Sequence, residues 1–118
     1  MFISLPISSS IVSSKYGISR EAADQFAYES HQKAAAAIDG GKFTSQIVPI
    51  EVEDVFVKDG KKVTTSHLVA MDEGVRRDTS VEGLSKLRPV FKQGGVVTAG
   101  NASQTSDGAA FTLVVSEA

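Results

Sequence analysis

The run Ala109-Ala110-Phe111-Thr112-Leu113-Val114-Val115 has Thr112 as its only polar side chain and no apolar-polar alternation. It cannot give one face to water and the other to a core, so it predicts a strand covered on both sides, as in a sheet interior. A chain of 118 residues holding one long helix, a short helix or two and a hairpin lacks the material for both covers. The expected architecture is therefore an α+β segment whose last strand joins a sheet lying largely outside this sequence.

Directly before that run stands Gly100-Asn-Ala-Ser-Gln-Thr-Ser-Asp-Gly-Ala-Ala110. Glycine admits positive φ and close approach of another molecule, while Asn, Ser and Asp hydrogen-bond locally in competition with helix and sheet. The stretch reads as a surface loop against which a ligand can lie. Its structural alternative is a turn held by Asn101 and Asp107.

Upstream, Met1 to Ile7 reads as extended, and Ser8 caps a short helix through Ile11, Val12 and Lys15 that stops at Gly17. Ser19 then caps the best-defined helix, which runs to about Asp39 and ends at Gly40-Gly41, with Glu21 and Asp24 at the positive end of its dipole. Ala23, Phe26, Ala27, Ser30, Ala34, Ala37 and Ile38 share its apolar face, with Phe26 as the large anchor. Asp24, Tyr28, Gln32 and Asp39 fall on the solvated side.

Ile47 to Val57 predicts an extended stretch, with Pro49 confining it to an edge or an irregular strand start. Lys58-Asp59-Gly60-Lys61 is the turn of an exposed hairpin returning through Thr65. Its lysines discourage edge pairing. Thr79-Ser80-Val81-Glu82 matches a capping box opening a short helix through Leu84 and Leu87, closed by Pro89.

Hydrophobic residues make up 42% and charged residues 22%, ordinary for a globular domain, and the formal net charge of -2 with dispersed Lys and Arg provides no broad field for nucleic acid or an anionic bilayer. The apolar opening is too short to span a bilayer and lacks a basic leader, so membrane insertion is not expected and the cytoplasm or an organelle interior is. With no cysteine and two distant histidines, neither a disulfide nor a metal site is expected. Ser103, His67 and Asp107 supply the residue types of a hydrolytic triad, but no Gly-x-Ser-x-Gly elbow accompanies them.

Ordered blocks from Lys15 onward are similar to the thiolase (acetyl-CoA acyltransferase) family: Lys15-Tyr16-Gly17-Ile18-Ser19-Arg20-Glu21, Ser30-His31-Gln32-Lys33-Ala34, Asp72-Glu73-Gly74-Val75-Arg76, Leu84-Ser85-Lys86-Leu87-Arg88-Pro89-Val90-Phe91, and Val97-Thr98-Ala99 with its loop. Gln104-Thr105-Ser106-Asp107 resembles the degradative 3-ketoacyl-CoA branch. The opening departs from the pattern, with Leu5-Pro6 where the family has Met-Gly.

This resemblance implies a coenzyme A-binding loop region over residues 1–108 and, in residues 109–118, the last strand of the family's N-terminal domain, with coenzyme A or acyl-CoA as substrate and no separate cofactor. It also implies Arg76 near the coenzyme A phosphates, Leu87 and Phe91 as apolar channel lining, and Ser103 and Ala99 beside the pantetheine arm. Competing structural roles are a surface ion pair from Arg76 to Asp72, Glu73 or Asp78, and core packing for Leu87 and Phe91. The resemblance further implies that the catalytic Cys, Asn and His motifs belong to parts of the family outside this segment. A chain without cysteine lacks the thiolate that acyl transfer needs, so inactivity on its own is expected. The remaining thiolase domains or self-association are the expected partners; a non-catalytic structural or oligomerisation module is the alternative.

Overall fold

The computed structural model describes residues 5–104 and 106–116, and contains helices α1 (Leu5–Tyr16), α2 (Arg20–Asp39) and α3 (Val81–Ser85) and strands β1 (Ile50–Lys58) and β2 (Lys61–Val69). The α+β class and the long helix with its hairpin are as expected. The radius of gyration is 19.3 Å, against about 13 Å for a compact domain of this length. Accessible surface is 10094 Å², where roughly 6,000 Å² is usual for this mass. The described residues thus leave much apolar surface uncovered.

Helix α1 accommodates its serines by returning hydroxyls to the backbone one turn earlier: Ser13 Oγ donates to Ser9 O at 2.7 Å and Ser14 Oγ to Ser10 O at 3.0 Å. Gly17, at φ 65°, ends it, and Ile18 N–H reaches back to Ser13 O at 3.0 Å. Leu5, Pro6 and Ile7 belong to this helix rather than to an extended lead, because proline is tolerated in a first turn, where its missing N–H has no partner to lose.

Ser19 caps α2 by accepting from Ala22 N–H at 3.1 Å. At the other end, Gly41 adopts φ 66° and Lys42 N–H bonds to Ala37 O at 2.9 Å, the hydrogen-bond pattern of a glycine-terminated helix. The two faces differ from the periodic reading. Asp24, expected in solvent, is 1% exposed; Phe26, expected as the anchor, is 76% exposed. Helical spacing identifies which residues share a face but not which face meets a neighbour. Arg20 and Asn101 draw the carboxylate inward, while Phe26 borders an open cleft of 510 Å³ between α1 and α2, lined also by Ser9, Val12, Ser13, Ile18, Ala22 and Ala23.

Strands β1 and β2 pair antiparallel from Ile50↔Val69 to Lys58↔Lys61. Asp59 (φ 52°) and Gly60 (φ 74°) both take left-handed backbone in the two-residue turn, which matches the twist of the flanking strands. The pairing begins at Ile50, after Pro49, whose lack of N–H fits a position outside the ladder, and β2 continues to Val69 rather than ending near Thr65. The hairpin is exposed almost throughout.

The segment after Gly108 corrects a further expectation. No strand forms among its described residues, and Phe111, Leu113, Val114 and Val115 are 99, 86, 87 and 74% exposed. A strand needs a neighbour for its N–H and C=O groups, and the described residues supply none there.

Candidate functional site

The core around the candidate site is small and has a polar centre. Ala35, Leu84 and Val97 are its buried apolar side chains among the described residues, and Asp24 and Thr98 are buried with them. Helix α3 is capped by Ser80, one residue beyond the Thr79 position that the capping-box spacing indicates. Ser80 Oγ accepts from Gly83 N–H at 3.0 Å. That cap turns Leu84 inward and leaves Leu87 half-exposed at 38%.

One hydrogen-bonded network joins α2, the end of α3 and the loop from Val96 to Asn101. Arg20 Nε donates to Asp24 Oδ2 at 2.7 Å, and Arg20 Nη2 donates to Leu84 O at 2.7 Å and Leu87 O at 3.0 Å. Asn101 Nδ2 donates to Asp24 Oδ1 at 2.7 Å and to Val96 O at 2.8 Å, while its Oδ1 accepts from Thr98 N–H at 2.8 Å. Every buried side-chain polar atom among the described residues has a partner, so this polar centre avoids the cost of unsatisfied groups. Asn101 does hold the loop turn as its composition suggested. Its bond to α2 and the whole of Arg20's role escaped sequence reasoning; the Arg-x-x-x-Asp spacing, one helical turn apart at the helix start, was the available signal.

The candidate ligand-side residues lie on three segments that the fold brings side by side. Val90 N–H bonds to Val97 O at 3.1 Å, and Pro89 and Thr98 form a bridge, which sets Leu87 to Phe91 beside the loop. Helix α3 stops at Ser85, short of the expected Leu87, which lies in the turn after it, and Gly100 is pressed onto both so closely that a Cβ there would stand 2.5 Å from Leu84 Cδ2 and 2.5 Å from Leu87 Cδ1. Gly74 sits beside Gln104 Nε2, 3.0 Å from where its Cβ would be, which brings the segment holding Arg76 against the same loop. Phe91 is 49% exposed; Ala99 and Ser103 are exposed, and Ser103 Oγ donates to Gln104 O at 3.3 Å.

The adjacent arginines separate in role. Arg77 Nη1 pairs with Asp39 Oδ2 at 2.8 Å, whereas the exposed Arg76 side chain forms no ion pair with any described residue. Its expected acidic neighbour Asp72 instead accepts from Gly74 N–H at 2.9 Å, and its own backbone N–H donates to His31 Nδ1 at 3.2 Å. His31 thereby fastens the segment to α2. His67 Nδ1 lies 3.1 Å from Asp54 Oδ2 on the hairpin, an arrangement separate from Ser103 and Asp107. A second cleft of 310 Å³, lined in part by Ser10, Ser14, Lys92, Gly94 and Gly95, has none of the five candidate residues in its walls, nor does the cleft at Phe26. Among the described residues no helix is long and apolar enough to cross a membrane, and no group of three metal-ligating side chains converges.

The hydrogen bond from Arg77, reinforced by its charge, holds the Asp39 carboxyl below the usual range and raises the guanidinium in turn. Hydrogen bonds from the backbone and from Ser19 lower Glu21 in the same direction. A carboxyl depressed on folding stabilises fully above its unfolded value of about 3.9 for Asp. That contribution is lost as pH falls through the folded value. The unfolding midpoint of Asp39→Asn is therefore expected to lie below that of the unaltered chain at neutral pH, and the gap to close under acid conditions. Denaturant titrations of both proteins across that pH range check this.

A family model of the thiolase N-terminal domain matches residues 4–118. The chain is 50% identical over 105 residues to the 3-ketoacyl-CoA thiolase of Bacillus subtilis (strain 168), covering 88% of this chain and 27% of that protein. It is 48% identical over 112 residues to the peroxisomal 3-ketoacyl-CoA thiolase B of Rattus norvegicus, covering 95% and 26%. Human mitochondrial 3-ketoacyl-CoA thiolase, solved in complex with CoA, aligns with a TM-score of 0.65 at 40% identity over 80% of this chain and 21% of that one. An acetyl-CoA acetyltransferase from Syntrophomonas wolfei aligns with a TM-score of 0.68 at 39% identity, over 84% and 23%. The chain spans about a quarter of the length of the curated relatives it matches.

Proposed function

Because the chain belongs to the thiolase family and matches its N-terminal domain, we propose that it is the part of an acetyl-CoA acyltransferase that holds coenzyme A or acyl-CoA. In this reading Arg76 binds the phosphates, Leu87 and Phe91 line the apolar side of the channel, and Ala99 and Ser103 flank the pantetheine arm. The observation that carries it is the convergence of three separate segments, with Gly74 beside Gln104 and Gly100 against Leu87. Arg76, without an ion-pair partner among the described residues, keeps its paired donors for an anion.

Binding the nucleotide end of the carrier at Arg76 positions the thioester for groups elsewhere in a larger parent protein, which convert remote binding energy into orientation at the reacting centre. This chain supplies no thiolate, since it has no cysteine. The Ser103 hydroxyl bonds to a neighbouring carbonyl rather than to a base, so it is not an activated nucleophile. We assign the exposed apolar run after Gly108 to the sheet of the same parent.

Calorimetric titration with coenzyme A tests the assignment. Arg76→Ala is expected to weaken binding roughly tenfold or more, the loss of one charge-assisted contact, while Arg77→Ala, whose guanidinium is already engaged, leaves affinity nearly unchanged. Equal affinity for the unaltered chain and Arg76→Ala removes Arg76 from the site.

A further inference from the structure

The Asp24 carboxylate divides its two oxygens between donors that hold two different segments carrying candidate ligand-side residues. Oδ2 accepts from Arg20, whose other nitrogen holds the carbonyls of Leu84 and Leu87; Oδ1 accepts from Asn101, which holds Val96 O and Thr98 N–H. The bonds from Arg20 and Asn101 thus end on the backbone of the segments carrying Leu87 on one side and Ala99 and Ser103 on the other. Asp24 itself is buried, as is Thr98, and reaches no ligand-side surface. Gly100, on the segment carrying Ala99 and Ser103, packs directly against Leu84 and Leu87 of the other segment, so a change in the separation of the two segments is felt at this contact.

We propose that Asp24 is a positioning residue: by clamping the end of α3 to the Val96–Asn101 loop it sets the spacing in which the apolar and amide-bearing arm of the ligand is held. This rests on the coenzyme A reading above. A neutral amide at position 24 breaks the clamp whichever way it is turned, because its NH2 group must then face either the Arg20 or the Asn101 donor. Arg20→Lys loosens the other wall, since a single ammonium cannot reproduce the fork that grips Asp24 and two carbonyls.

The test compares two probes on the whole chain. Coenzyme A carries the pantetheine arm; adenosine 3′,5′-bisphosphate presents a nucleotide end without it. Asp24→Asn and Arg20→Lys are each expected to weaken coenzyme A by roughly tenfold, the loss of properly placed polar contacts, and to leave the bisphosphate within about twofold at a temperature where circular dichroism shows both variants folded. A merely structural role weakens both probes alike. Such parallel loss, or coenzyme A affinity unchanged in both variants, overturns the positioning role and leaves the coenzyme A reading intact. Should Asp24→Asn fail to fold, Arg20→Lys carries the comparison. If neither folds, the network serves folding rather than spacing and the proposal is overturned. Failure of the unaltered chain to bind coenzyme A overturns the coenzyme A reading and this proposal together.

Discussion

Asp24→Ala is expected to cost about 3 kcal/mol in folding stability, the lower end for removing one member of a buried ion pair, because the Arg20 left behind keeps 19% of its side chain exposed. Two donors lose their acceptor at once. Arg20 remains tied to the carbonyls of Leu84 and Leu87 with its charge uncompensated, and Asn101 Nδ2 loses its bond to α2 while keeping Val96 O. Phe26→Ala makes the control. A large aromatic on a helix face is the ordinary candidate for a core anchor and would then cost about 3–5 kcal/mol, but at 76% exposure it is expected to cost less than about 1 kcal/mol. Denaturant unfolding of the two variants decides the order; a larger loss for Phe26→Ala than for Asp24→Ala would contradict the packing described here.

Gly100→Ala is expected to destabilise by about 1–3 kcal/mol, the range for overpacking in a fitted contact. The added methyl meets Leu84 Cδ2 and Leu87 Cδ1 simultaneously, each at 2.5 Å, so relief on one side drives it into the other. Leu84 is buried and has little room to yield, whereas Leu87 is half-exposed and can turn outward. Adjustment at Leu87 displaces a proposed channel wall. The variant is therefore also expected to bind coenzyme A more weakly. Gly94→Ala, also at a glycine of this region but with open space around the new methyl, serves for comparison through its strained φ alone. Equal melting curves for Gly100→Ala and the unaltered chain would show that the loop does not rest on α3.

Local signals carried much of the fold. Ser19 and Gly41 delimit α2, and Asp59-Gly60 sets the hairpin register, because caps and primed turns act within a few residues. The inward turn of Asp24 was not legible: its partner Asn101 stands 77 residues away, and no local pattern encodes that pairing. For Phe26 the sequence shows a helical stripe without showing what covers it. The apolar run at Phe111 to Val115 reads in sequence as a strand covered on both faces, but no strand forms there among the described residues and its side chains are exposed, because a lack of alternation shows that a run is apolar and not that partners are present. At the candidate site, composition marks the loop, and the family resemblance points to Arg76. The fold adds that Arg77 is engaged with Asp39 and that Gly100 is seated on Leu87.

The most direct test follows backbone amide signals of the isotopically labelled chain by NMR as coenzyme A is added. Perturbations are expected at Arg76, Leu87, Phe91, Ala99 and Ser103, with the hairpin from Ile50 to Val69 unaffected. No perturbation at any concentration, or one confined to the hairpin, would contradict the coenzyme A reading.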